Sequence, residues 1–390
     1  MDRLEVESGL GKLLTPCYVF DADVFRARIR EIREVLADTA ELCFAMKANP
    51  FIAEDTDDIR IEVCSFGELA ICERADVDMR RIVLSGVNKD PKETERVIRT
   101  YGEKVIYTAE SPSQLELISG CARSCGKKLR VLLRLTAGNQ FGMDRETIEK
   151  ILSKRDGYIL TEFLGIQFYS GTQKRKLSLI EKELDMLDEF LEDLREKYGY
   201  EARELEYGPG LYVPYFLGEE PENTGQSLGK LRELLLKMKF KGRITLEMGR
   251  YLAASCGYYF TKIVDEKVNS GQQYAIADGG IHQLNYYGQM MAMKIPHYTQ
   301  YPSDSGSEEG KVTLCGSLCT VNDILVRNIP LSIPAKDSVI AFENCGAYSA
   351  TEGMALFLSR DLPRIYKYKE GHYDLIRDRF ESNVLNSRNI

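Results

Sequence analysis

The chain contains no tryptophan and only three histidines (His282, His297 and His372) in 390 residues, and its ten cysteines form no C-x-x-C pair. With histidines so few and cysteines so dispersed, a zinc site is not expected. Cys121 and Cys125, four apart in a predicted helix, read as buried free thiols, and disulfides are not expected in a reducing compartment. Basic residues are in deficit. The 52 Lys and Arg against 60 Asp and Glu leave a net charge of −8, so no broad positive field is available for a phosphate backbone, and nucleic acid is excluded as a partner. Long apolar runs are also missing: the N-terminal MDRLEVESGLGKLLTP is interrupted by charge, and the charge-free stretch from Tyr251 to Thr261 is too short to span a bilayer. The chain reads as cytoplasmic, with no membrane partner.

What is present supports a packed core, with 44% apolar and 29% charged residues. The length suits a barrel of eight βα units, which takes about 250 residues, with a second domain attached. After an apolar run at Cys17 to Phe20, the segment from Asp23 to Leu36 carries Val24, Ile29, Ile32, Val35 and Leu36 at helical spacing. Strand-like runs then follow at Leu42 to Met46, Ile59 to Val63, Arg81 to Ser85, Lys104 to Thr108, Leu129 to Leu135, Leu164 to Tyr169, Glu204 to Tyr207 and Arg243 to Glu247. Helical patterns separate most of them, the clearest being the stripe from Leu177 through Leu184 and Leu191 to Tyr198. Alternating strand and helix imposes parallel pairing and right-handed crossovers, and eight repeats suit a closed barrel, with a doubly wound open sheet as the alternative.

Beyond about residue 252 the alternation stops. Runs such as Tyr258 to Val264, Gln273 to Ala277, Lys311 to Leu314 and Ser338 to Phe342 predict a mostly β domain, and the polar loop Pro302 to Gly310 reads as a solvated excursion. The expected organisation is an N-terminal segment, 1–22, joining the β domain; a barrel over 23–252; and a C-terminal β domain over 253–390.

Functional groups of a parallel barrel collect at the carboxyl ends of its strands. Lys47, in FAMKANP, follows the first strand; there a buried stem and desolvation would favour the neutral amine that a Schiff base needs. Gly208-Pro209-Gly210 follows the seventh strand, and Glu247-Met248-Gly249-Arg250 closes the eighth. Two glycines let backbone N–H groups approach an anion, and an arginine offers it a charged fork. Singly, these would be a surface lysine, a turn and a surface ion pair. Together around one mouth, a lysine, a phosphate cradle and a carboxylate meet the needs of pyridoxal phosphate.

These motifs resemble those of the fold-type III pyridoxal-phosphate decarboxylases, which include the diaminopimelate, ornithine and arginine decarboxylases; the resemblance runs from Thr15-Pro16 to about Pro363. It implies a pyridoxal-phosphate-binding (β/α)8 barrel of the alanine racemase type with a C-terminal β domain, an α/β fold. It also implies that Lys47 holds the cofactor, that Glu247 meets its pyridine nitrogen, and that Gly208, Gly210 and Arg250 bind its phosphate. In GIQFYSGTQ, Tyr169 takes the place of a histidine that stacks on the ring, and Thr172 that of a phosphate-binding serine. Losing that histidine removes a titratable group, so pH dependence is expected from Lys47 and Cys319. IEVCSFGEL puts Glu62 where an aspartate is usual, with its role open.

In the second domain, CGSLCTVND resembles G-P-x-C-E-x-x-D. That makes Cys319 the counterpart of the cysteine that protonates the product carbon from the partner subunit, and the resemblance implies an obligate homodimer. GAYS places Tyr348 at a phosphate-binding tyrosine. Thr320, Asp323 and His282 are candidates for contact with substrate, while the sequence leaves open whether Arg134 and Gln140 reach the site.

Two departures bear on the substrate. Thr320 replaces the acid that meets a distal ammonium, and DGGIHQLNYYGQ, Asp278 to Gln289, lacks the R-P-x-L-Y segment that holds a distal carboxylate. The chain is most similar to decarboxylases of carrier-protein-tethered or conjugated amino acids, which need neither charge. The alternatives are decarboxylation of free diaminopimelate or another basic amino acid, an amino-acid racemase, and a non-catalytic relative that binds the cofactor.

Overall fold

The computed structural model describes residues 9, 11–219, 224–286, 292–302 and 308–388. Most of the N-terminal run to residue 10, most of the loop from Pro302 to Gly310 and the end of the run from Asp278 to Gln289 lie outside them. The chain divides into two compact units, one of residues 28–213 and 221–251, the other of residues 1–27, 214–220 and 252–390.

The first unit is a closed parallel barrel. Its strands, numbered in chain order after β1 (Cys17–Asp21), are β2 (Glu41–Ala45), β3 (Arg60–Val63), β4 (Ile82–Leu84), β5 (Ile106–Ala109), β6 (Leu129–Leu135), β7 (Thr161–Tyr169), β8 (Glu204–Gly208) and β9 (Arg243–Met248). β9 pairs with β2, which closes the ring and excludes the open sheet. Every expected strand is found, displaced by at most a few residues. The helices between them start where the sequence supplies caps: Ser65, Asp90, Ser111 and Asp144 each accept a hydrogen bond from a backbone N–H of the first turn. In the helix Leu177–Tyr198 the stripe buries Ile180, Leu184, Leu187, Leu191 and Leu194, while Leu177 and Tyr198 at its ends stay half-buried. Cys121 and Cys125 are half-buried rather than buried, because their helix turns that side partly outward; all ten cysteines are free.

Side chains alternate across a strand, so residues two apart share the barrel interior. Cys43, Val83, Ile106, Leu132 and Leu164 form an apolar cluster there. Toward the amino ends, Arg60 of β3 pairs with Glu204 of β8, two strands that do not neighbour each other, so the ion pair crosses the interior. Two residues further along the same strands, Glu62 and Glu206 sit in a second polar layer with Gln167 and Glu247.

Among the described residues the second unit is a nine-stranded, mostly antiparallel sheet. β1 lies between β10 (Gly257–Asn269) and β16 (Arg364–Lys369), antiparallel to the first and parallel to the second. β11 (Gln272–Ala277), β12 (Tyr298–Tyr301), β13 (Glu308–Cys315), β14 (Ile324–Ile333), β15 (Val339–Phe342) and β17 (His372–Arg377) complete it. Cys17, Val19, Phe260, Tyr301 and Ala341 are among the residues of its core.

Candidate active site

Lys47 follows β2 in a short turn, Met46–Ala48. Because β3 and β9 flank β2, the carboxyl ends of those strands deliver their side chains to the same lysine. Nζ of Lys47 lies 2.7 Å from Oε2 of Glu62, 3.4 Å from Oε1 of Glu247 and 3.4 Å from Sγ of Cys64. The lysine side chain is 37% exposed, against 1% for Glu62 and 8% for Glu247. The expectation of an amine kept neutral by desolvation is therefore corrected: the amine is held in an ion pair, because the flanking strands carry glutamates at this level.

The two carboxyls differ in charge. Burial alone would raise Glu62, but the ammonium of Lys47 and hydrogen bonds from Lys47, Cys64 and Ser85 outweigh it and hold the group below the usual carboxylate range. Glu247 is pushed up to about 7 by burial and then by the charge of Glu62, against the opposing pull of Lys47 and Arg134. One negative charge faces the lysine, and a second carboxyl beside it titrates near neutrality. That adds Glu247 to Lys47 and Cys319 among the groups expected to set the pH dependence.

On the far side of the mouth, Tyr169 ends β7 beside Gly208 of β8. A Cβ at position 208 would fall on the Tyr169 ring, and one at Gly210, where φ is +62°, would fall on the carbonyl oxygen of Gly171. The amide of Lys174 donates to the carbonyl of Gly210 at 2.9 Å, which ties the segment bearing Thr172 to the glycine turn. Tyr169 and Thr172 are hydrogen-bonded through their side chains, and the charges of Lys47 and Arg250 are both felt at Tyr169, whose hydroxyl burial nonetheless pushes up. The structure thus gathers Lys47, Glu62, Tyr169, Thr172, Gly208, Gly210, Glu247 and Arg250 at one end of the barrel. Arg134 lies below them, 3.3 Å from Glu110, whereas Gln140 is exposed.

Three further residues belong to this constellation. Nε2 of Gln167 donates to Glu206 at 2.6 Å, and lies 3.4 Å from both Glu247 and the hydroxyl of Ser85. The signal for Gln167 and Glu206 was present, since each stands two residues before a recognised site residue, Tyr169 and Gly208, and so faces the same interior.

The remaining candidates lie in the other unit. Cys319 is exposed on the connection between β13 and β14, and Thr320 beside it accepts a hydrogen bond from the amide of Asn322 at 3.4 Å. Asp323 is buried, with Oδ1 accepting from the amide of Ile281 at 2.9 Å and Oδ2 from that of Leu318 at 2.6 Å. Those bonds make Asp323 a brace of the Cys319 loop. His282 is buried and pushed down to about 4, first by desolvation and then by the charge of Arg360, which keeps the ring neutral at neutral pH. Tyr348 is half-buried, at φ +67°.

The family model "pyridoxal-dependent decarboxylase, pyridoxal binding domain" matches residues 22–254. The chain belongs to the pyridoxal-dependent decarboxylases. It is 27% identical over 404 residues to the L-glutamyl-[BtrI acyl-carrier protein] decarboxylase of Niallia circulans, covering 97% of this chain and 94% of that one. To the diaminopimelate decarboxylase of Zymomonas mobilis it is 25% identical over 403 residues, covering 93% and 92%. In fold it is similar to the crystal structure of the diaminopimelate decarboxylase of M. jannaschii, with a TM-score of 0.85 at 22% identity over 99% of this chain and 94% of the other. This decarboxylase is accordingly an amino-acid carboxy-lyase dependent on pyridoxal phosphate.

The residues at the barrel mouth fit that cofactor. A primary amine stands beside a carboxyl able to carry or yield a proton near neutrality, the ring of Tyr169 stands across the mouth within reach of the lysine's charge, and the turn at 208–210 leaves no room for a Cβ on either glycine. Among the described residues no helix is long and apolar enough to cross a membrane.

Proposed function

We propose that this decarboxylase removes the α-carboxylate from an amino acid whose distal end is masked in a thioester or amide, as in a carrier-protein conjugate, and that it works as a cytoplasmic homodimer. The observation that carries the substrate class is the charge-free loop at Cys319. Thr320, Val321 and Asn322 offer no ionic group, and the carboxylate of Asp323 already accepts two backbone amides. A free distal ammonium would find no partner there, and burying it unpaired would cost several kcal/mol. The similarity to an enzyme named for an acyl-carrier-protein-bound glutamyl group supports the same reading.

In this scheme Lys47 would bind the cofactor aldehyde, Glu247 would meet the pyridine nitrogen, and Tyr169 would cover the ring. Gly208, Gly210, Thr172, Arg250 and Tyr348 would hold the phosphate. Tyr348 sits in the left-handed region, which costs a residue with a Cβ about 1 kcal/mol and is a strain that functional positions tend to carry. Pyridoxal phosphate, when bound, supplies the electron sink that makes loss of carbon dioxide feasible. Glu62, 2.7 Å from Nζ, would orient the amine of Lys47, and the thiol of Cys319, from the partner subunit, would deliver a proton to the carbon that loses its carboxylate. The N-terminal strand and residues 253–390 are the part of each subunit that completes the neighbour's site.

Carbon dioxide release from a panel of free, amide-linked and thioester-linked amino acids tests this. Turnover is expected on a conjugated member and not on free diaminopimelate; equal or better turnover of free diaminopimelate overturns it. Replacement of Lys47 by Ala is expected to abolish the borohydride-fixed cofactor adduct.

A further inference from the structure

Beneath Lys47 the barrel buries three carboxyls, on Glu62, Glu206 and Glu247, and Gln167 stands between two of them. Glu206 is fully buried. Its Oε1 accepts the 2.6 Å hydrogen bond from Gln167, while Oε2 is buried with no hydrogen-bond partner among the described residues. An ionised carboxylate in that position would be an unpaired buried charge facing two others, which is the most expensive arrangement available to it.

We propose that Glu206 is a positioning residue: as a neutral carboxylic acid it anchors the amide of Gln167, and Gln167 in turn directs its N–H at Glu247, so the negative charge of this pair stands on Glu247, facing the cofactor. This rests on the reading of Glu247 as the partner of the pyridine nitrogen. The charged and titratable groups around Glu206 agree with it. They are Glu247 on the neighbouring strand β9, Glu62 across the interior on β3 and Glu204 on its own strand, all carboxyls, with Cys43 close by and Arg60 engaged by Glu204. Desolvation first, and then Glu247 and Glu204, push the Glu206 carboxyl well up. Around Glu247 stand Lys47 and Arg134, which favour its anion, and Glu62, Cys64 and Tyr169, which do not. The amide of Gln167 is the neutral donor that favours the anion without adding charge.

The test is a pH titration of the visible absorption of the bound cofactor in the holoenzyme. E206Q keeps a neutral acceptor of the same shape and is expected to leave the acid limb of the profile where wild type has it. Q167M removes the N–H while keeping the length of the side chain. Its acid limb is expected to rise by about one pH unit, the equivalent of one hydrogen bond to a charged group. E206A, which frees Gln167 from its anchor, is expected to move the limb the same way, and serves if Q167M does not fold. An acid limb unmoved in both Q167M and E206A, or one that falls in E206Q, overturns the proposal. A merely structural role would alter yield or thermal stability without moving the limb. A wild-type holoenzyme with no cofactor absorption would instead refute the cofactor reading itself.

Discussion

Glu247 couples the charge of the site to the stability of the barrel. Its carboxyl is raised from 4.5 to about 7, so between those values the folded chain binds a proton that the unfolded chain has released. The stabilisation it contributes is complete below about pH 4.5 and is lost as the pH rises to about 7, on the order of 3 kcal/mol over that window. His282 works in the opposite direction. Its value is lowered from 6.5 to about 4, so its contribution is present above 6.5 and is lost as the pH falls toward 4. The readable quantity is therefore a difference between variants. Urea denaturation of the cofactor-free protein at pH 5 and pH 8 is expected to give a steeper loss for wild type than for Glu247→Gln; parallel losses would remove Glu247 from the account. Lys47, Glu247 and the glycine turn were legible in the sequence because each carries unusual chemistry directly after an apolar strand. Gln167 and Glu206 were not, because a glutamine and a glutamate inside strands read as ordinary solvent-facing positions until the alternation is phased against Tyr169 and Gly208.

At the scale of the elements, the turn at 208–210 and the helix caps separate function from stability. Gly210→Ala places a side chain at φ +62° against the carbonyl of Gly171. Its backbone penalty is about 1 kcal/mol before any clash, and on the proposal that the turn holds the cofactor phosphate, the dissociation constant for pyridoxal phosphate is expected to rise at least tenfold. Asp90 caps the helix Pro91–Tyr101 by accepting from the amides of Lys92 and Glu93 at 2.9 and 3.0 Å. Asp90→Ala is expected to lower stability by about 1 kcal/mol in thermal denaturation while leaving cofactor affinity unchanged. The barrel strands were legible because parallel strands covered by helices on one side and packed inside on the other read as near-continuous apolar runs. The β unit was less so: β16, RIYKYK, and β17, HYDLIR, alternate charge with aromatic or aliphatic residues, as strands with one wet face do, and β14 is broken by Arg327 and Pro330.

For the whole molecule, the decisive question is whether one active site draws on two chains. Lys47 lies in the barrel unit and Cys319 in the β unit, on an exposed loop braced by Asp323. If each site takes Lys47 from one subunit and Cys319 from its partner, each single variant is impaired in both sites of its homodimer. Lys47→Ala is expected to lose activity altogether, and Cys319→Ala to lose about a hundredfold or more in kcat, the usual reach of a positioned proton donor. Mixing the two under conditions that allow subunit exchange forms heterodimers in which one site inherits both mutations and the other inherits neither. Half the dimers are then mixed and each has one intact site, so activity should recover to about a quarter of wild type, following from two-fold symmetry alone. Recovery on that scale, tracked by carbon dioxide release as exchange proceeds, would establish the shared site. Activity that stays at the Cys319→Ala level after exchange is confirmed by mass spectrometry would show that both residues serve the site within a single chain.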